Sequence, residues 1–216
     1  MLTTYCLDIY DIALYIYHNI LSYNYSFGYR RCGMTKTDVL SAAKEVLSGI
    51  PEADKLELVA KSRFSCESRS MMAAVVAAGW EKANDMNLQV GAAVGEGEMH
   101  RLMALLGWSS PKNDEEFLLM VATAMELFAP KKYFDYEFKL LESGKAVGIV
   151  RRCLACTKVK SLGVESFYKC GCFGMRQGWY KALGVEVNER LAMNMLEGDD
   201  HCEIMVEHIR YPGEQR

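Results

Sequence analysis

No run of basic residues with interleaved aromatics occurs in this chain, and Arg151-Arg152 is too short to stand in for one. With a net charge of −3, there is no electrostatic reason to expect nucleic acid as a partner. The roughly 20 uninterrupted apolar residues of a membrane span are missing too. The most apolar stretch, near Ile12-Ala-Leu-Tyr-Ile-Tyr17, is interrupted by Asp8, Asp11 and His18. Its start is not basic and no small-residue cleavage site follows, which argues against a signal peptide. Without a secretion signal the expected compartment is the reducing cytoplasm, where clustered cysteines favour metal or redox roles over structural disulfides.

Several catalytic signatures are absent as well. The glycines of Gly91-Ala-Ala-Val-Gly95-Glu-Gly97 follow no strand and lack the Gly-x-Gly-x-x-Gly order, so dinucleotide binding is unsupported. There is no phosphate-binding Gly-x-x-x-x-Gly-Lys-Ser/Thr loop and no serine elbow. No internal repeat or low-complexity segment appears.

What remains is a globular composition, with 50% hydrophobic and 25% charged residues. Thirteen methionines read as gap fillers of the core. Residues 1–33, with seven tyrosines among the first 32, read as a spurious or disordered extension ahead of Met34; an interfacial amphipathic helix is the alternative. Residues 34–130 read as a helical part. Val39, Ala42, Ala43 and Val46 recur at helical spacing until Gly49-Ile-Pro51. Further helices are expected from Glu52 towards Arg63, from Ser68 to about Asn84, over 98–107 and over 114–128.

After Ala129-Pro130 the period changes to two. Phe134, Tyr136, Phe138 and Leu140 alternate with Asp135, Glu137 and Lys139, Glu142-Ser-Gly-Lys145 turns the chain, and Val147 and Ile149 return it. A helix over 171–183 stopped by Gly184 follows, then strands from Val185 and Cys202. Residues 131–210 are thus expected as hairpin, helix, hairpin. The fold class is α+β: a helical N-terminal part packed on a small antiparallel sheet.

Cysteine is the richest source of chemistry. Of eight, five fall in the last third, as Cys153-Leu-Ala-Cys156, Cys170-Gly-Cys172 and Cys202, with Cys66 a distant sixth candidate. Two residues between cysteines let one tight turn aim both sulfurs at one ion, and Gly171 relaxes the tighter Cys-x-Cys spacing. Cys153, Cys156, Cys170, Cys172 and Cys202 are therefore candidate ligands of a soft metal. Four thiolates suit zinc or an iron–sulfur cluster alike. The plainer reading is that several are buried small apolar residues. A tetrahedral site needs only four, so at least one is a bystander or a reactive thiol. His201 beside Cys202 is a candidate base, and the two form a candidate catalytic pair; His208 alternates with Cys202, Ile204 and Val206. Asp199 and Asp200 read as capping the turn that carries His201. Glu96 and His100 share a helical face and read as a solvated helix start.

The stretch Cys170, Gly174-Met-Arg-Gln-Gly178-Trp, Gly184-Val-Glu-Val, Arg190 and Gly198-Asp-Asp-His-Cys202-Glu-Ile resembles the C-terminal region of the aminothiazoline-carboxylate hydrolase-like proteins. It is also similar to the four-vinyl-reductase sensor domain, a ligand-binding module with a zinc-holding cysteine set. The similarity spans roughly residues 134–207. Of the sensor's pattern only Cys202 carries over by position, since Arg190-Leu-Ala-Met-Asn194 has no cysteine where the sensor has Glu-x-x-Cys. The resemblance implies a cysteine-rich, metal-binding, small-ligand-binding protein. Its hydrolase side implies an enzyme acting on a carbon–nitrogen or carbon–sulfur bond. A structural or partner-binding domain without metal is the third reading; oligomeric state is not legible.

Overall fold

A computed structural model describes residues 36–213, so the reading of residues 1–33 lies outside the described residues. The described chain divides into two units at Ile50/Pro51. The first contains helix α1 (Lys36–Ser48). The second contains everything else and the whole described core.

Residues 52–106 were expected as separate helices, and the structure joins them differently. One helical run, α2 (Glu52–Leu106), is broken only at Gly79, whose φ of 78° and ψ of 167° are not helical. That combination belongs almost entirely to glycine, because any Cβ collides with the backbone there. The break reverses the chain. Arg63 of the first arm (52–78) forms an ion pair with Glu98 of the second (80–106); an unbroken helix would hold them about 50 Å apart. The expected helix 68–84 therefore straddles the reversal, and Glu96 and His100 sit within a helix, not at its start.

Helix α3 (Asp114–Phe128) begins as the sequence requires. Asn113 caps it, its side chain accepting from Glu116 N at 2.8 Å, and Asp114, Glu115 and Glu116 favour the positive end of the dipole. Strands β1 (Phe134–Glu142) and β2 (Lys145–Cys153) form the expected hairpin, closed by Ser143 and Gly144 with Gly144 at φ 73°. The ambiguous stretch after it is a helix, α4 (Leu154–Ser161). Two helices therefore lie between the hairpin strands, since α5 (Cys172–Leu183) follows, ended by Gly184 in the left-handed conformation. Strands β3 (Glu186–Met193) and β4 (Cys202–Arg210) complete an antiparallel sheet of order β1-β2-β4-β3. The α+β class stands.

The core lies between this sheet and the helices. Met99 and Leu102 from α2, Phe117, Val121 and Ala124 from α3, Trp179 and Leu183 from α5, and Ile204, Val206 and Ile209 from β4 are all buried together. Helices α2 and α5 meet backbone to backbone. A Cβ on Gly95 would stand 2.1 Å from Met175 O, one on Gly174 2.1 Å from Leu88 O, and one on Gly178 2.1 Å from Ala92 O. Gly91 and Gly95 are thus part of the contact surface of a helix pair. His208 breaks the expected alternation: it adopts φ 54° at a register shift between β3 and β4, which exposes it and turns Ile209 into the core instead.

Candidate functional site

Sheet register determines where the cysteines gather. Cys202 opens β4 opposite Val150, near the end of β2, and Cys153 closes β2 and serves as the N-terminal cap of α4. Cys156 lies in the first turn of α4. These three pack in a secondary apolar cluster with Phe134, Ala129 and Met195; Cys153 and Cys156 are buried, so the plain reading of cysteine as a small apolar residue describes part of their role. Cys170 and Cys172 flank Gly171 at the start of α5, both half-buried. Cys66 is exposed on α2 and stands apart.

Within this group the thiols act on one another. Cys156 donates towards both Cys153 and Cys202, which keeps its own proton firmly bound and pushes its pKa up. Its hydrogen bond is the main reason Cys202 falls to about 6, helped by Met195 N, which donates to the sulfur at 3.4 Å, and by Arg176. Cys153 is lowered by the same Cys156 hydrogen bond and by the backbone N–H groups of Cys156 and Ala155 at the helix start. The second pair repeats the pattern: Cys172 donates to Cys170 and is pushed up, while Cys170 drops to about 7, with Arg176 assisting. Arg176 is fixed by Glu189 (2.8 and 2.5 Å to one oxygen) and lies 4.8 Å over the Phe173 ring. Sequence reasoning missed Arg176 and Glu189, which stand 13 residues apart and carry no motif.

The five thiols thus share one neighbourhood but do not form a closed cage. Among the described residues, no three His, Cys, Asp or Glu side chains stand in an arrangement ready to hold an ion. Both ring nitrogens of His201 face carboxylates, Nδ1 at 2.5 Å from Asp200 and Nε2 at 3.8 Å from Glu203, while the Cys202 sulfur meets Cys156 and Met195 N. Asp199 shapes the turn as expected, accepting from Asn194 N at 2.6 Å. Glu96 is held by Lys181 at 2.8 Å and lies 4.0 Å from His100.

Beside the second thiol pair opens a cleft of about 700 Å³. Leu88 of α2, Tyr168 and Cys170 of the preceding loop, Phe173 of α5, Leu191 of β3 and Leu196 form its apolar lining, and Glu165, Ser166, Lys169, Asn194 and Glu197 its polar lining. Asn84 anchors the loop, donating to Phe167 O at 2.7 Å and accepting from Lys169 N at 2.9 Å; Trp80 stacks on Phe167. A volume of that size is within the range of small-molecule sites.

No family model matches the sequence, and no curated protein aligns with it. Solved structures do match the fold. A trafficking protein particle complex subunit 3 from Naegleria fowleri, covalently bound to palmitic acid, superposes with a TM-score of 0.52 at 15% identity, over 75% of this chain and 99% of the other. The phenol-responsive sensory domain of the transcription activator PoxR, solved with phenol, superposes with a TM-score of 0.51 at 12% identity, over 67% of this chain and 73% of the other. The chain therefore shares its fold with a ligand-sensing domain and with a lipid-bearing trafficking subunit.

Proposed function

We propose that this protein is a small-ligand-binding domain of the sensory kind, taking a compact, largely apolar molecule into the cleft between α2, the 163–171 loop, α5 and β3. The observation that carries this reading is the cleft itself: aliphatic and aromatic side chains on helix and strand, a loop pinned by Asn84, and polar groups beside them in the lining. Two proteins of this fold, solved with phenol and with palmitic acid, support it. The test is titration of the full-length chain with propylbenzene by calorimetry, beside Leu191→Trp, which fills the cleft. Saturable binding lost in the variant is expected; binding unaffected by Leu191→Trp, or no binding to either, overturns the reading.

A second reading concerns the thiols beneath the cleft. Cys153, Cys156 and Cys202 already interact and Cys172 lies in the same field, so a soft metal, zinc or an iron–sulfur cluster, would find four sulfurs from two helices and two strands. Thiol rotation would have to close the cage. Protein purified without oxygen is expected to carry about one zinc, or to absorb in the visible if it holds an iron–sulfur cluster. Cys156→Ser should lose the metal and Cys66→Ser should retain it. No metal, or equal loss in both variants, removes this reading.

A further inference from the structure

Five thiols exceed what a tetrahedral site uses, and their placement separates one from the rest. Cys153, Cys156 and Cys202 pack in the apolar cluster around Met195, and Cys172 lies inside α5. Among the described residues, Cys170 is the one cysteine that lines the cleft. We infer that Cys170 is a covalent capture site for an apolar molecule bearing an electron-poor carbon–carbon double bond conjugated to a carbonyl, an enone or quinone. This rests on the cleft being a ligand site, and it names the chemistry of that ligand.

Three features of the cleft converge on this class. Cys170 lines the cleft together with Leu88, Phe173, Leu191 and Leu196, so a bound apolar carbon frame is held beside the nucleophile and its encounter with it becomes effectively unimolecular. Cys172 donates to the Cys170 sulfur, and the guanidinium of Arg176, fixed by Glu189, lies nearby; the attacking species is the thiolate. Two of the polar residues that line the cleft are engaged within the protein. Asn194 Nδ2 donates to Glu197 at 2.7 Å, its Oδ1 accepts from Leu196 N at 3.0 Å, and Lys169 N is spent on Asn84. Conjugate addition requires neither an oxyanion hole nor a leaving group. The sulfur lone pair forms the S–C bond at the β-carbon, the π pair of the double bond shifts onto the carbonyl as an enolate, and the enolate takes one proton from water at the α-carbon. Nothing is oxidised or reduced overall, and no third reactant is consumed.

The experiment is adduct mapping by mass spectrometry on the full-length chain at about pH 7, with benzylideneacetone as the apolar enone and acrylamide as a small polar one. Each rate is divided by that of the same reagent with glutathione. Cys170 is expected to carry the benzylideneacetone adduct first, with a normalised rate at least about tenfold above that of acrylamide. Leu191→Trp should erase that advantage and leave acrylamide unaffected. First labelling at Cys66 or Cys202, no difference between the two reagents, or labelling of Cys170 by an acyl thioester but not by the enone overturns the inference. Propylbenzene separates the two levels of the reading. If it binds while Cys170 stays unlabelled, the capture site falls and the ligand site stands; if it does not bind, both fall.

Discussion

Glu98 shows what single side chains contribute to the scaffold. Its side chain is 4% exposed, receives Trp179 Nε1 at 3.3 Å and pairs with Arg63 across the helix reversal. Burial is the largest influence on it and raises its pKa, which Arg63 and Trp179 only partly offset. Glu98→Ala leaves the indole without its acceptor and the Arg63 guanidinium with Glu67 alone, 2.8 Å from its Nε. Because Arg63 is itself 29% exposed, water screens part of the loss, and a destabilisation of about 2–3 kcal/mol is expected in urea unfolding. The pH dependence has a definite sign. The folded state keeps the Glu98 proton to higher pH than the unfolded chain does. Relative to Glu98→Gln, stability is therefore undiminished below the ordinary value of 4.5 and declines as pH rises through the elevated one. Urea midpoints of the two proteins between about pH 4 and pH 7 check this; a gap that does not change with pH refutes it.

At the scale of elements, the glycines of α2 and α5 decide how close two helices come. Gly95→Ala places a methyl group 2.1 Å from a carbonyl oxygen that belongs to rigid helix backbone, so the helices must part. A loss of about 3 kcal/mol or more is expected. Gly97→Ala is the control two residues away, since its Cβ meets only the flexible end of Arg101 at 3.3 Å. It should be neutral or stabilise by up to about 1 kcal/mol through helix propensity. Equal effects in chemical denaturation would deny the close-packing role. This is also where the sequence was readable and where it was not. Helix α3 and the first hairpin announce themselves through a period that switches from helical to two after Ala129-Pro130, because that signal is local. The reversal at Gly79 left no such mark: one glycine among alanines and other helix formers looks like a tolerated interior residue, and only the distant Arg63–Glu98 pair exposes it. The four-residue spacing of Gly91 and Gly95 was visible, yet its meaning depends on a matching pair, Gly174 and Gly178, about 80 residues on. The bulge at His208 hides because apolar residues continue on both sides of it. For the site, local spacing gave the thiol pairs, whereas the cleft and the Arg176–Glu189 pair arise from tertiary placement alone.

At the scale of the molecule, the proposed ligand site and the proposed metal site lie one residue apart, joined by Gly171. That joint is tight: a Cβ there would stand 2.6 Å from Asn87 Nδ2, so the backbone between Cys170 and Cys172 is packed against α2. Closing four sulfurs round an ion requires Cys172 to give up its hydrogen bond to Cys170, the same bond that conditions the cleft wall. Each occupant therefore changes the free energy of the other, and linkage makes the two changes equal. Zinc should alter the propylbenzene Kd by the factor, about 5-fold or more, by which propylbenzene alters the zinc Kd. Paired calorimetric titrations at fixed pH measure both factors. A Cys170→Ala variant, which keeps the four proposed metal sulfurs and removes the acceptor of the Cys172 hydrogen bond, should reduce them to unity while zinc and propylbenzene still bind. Full coupling surviving in that variant would mean that communication runs through some element other than the Cys170-Gly-Cys172 joint.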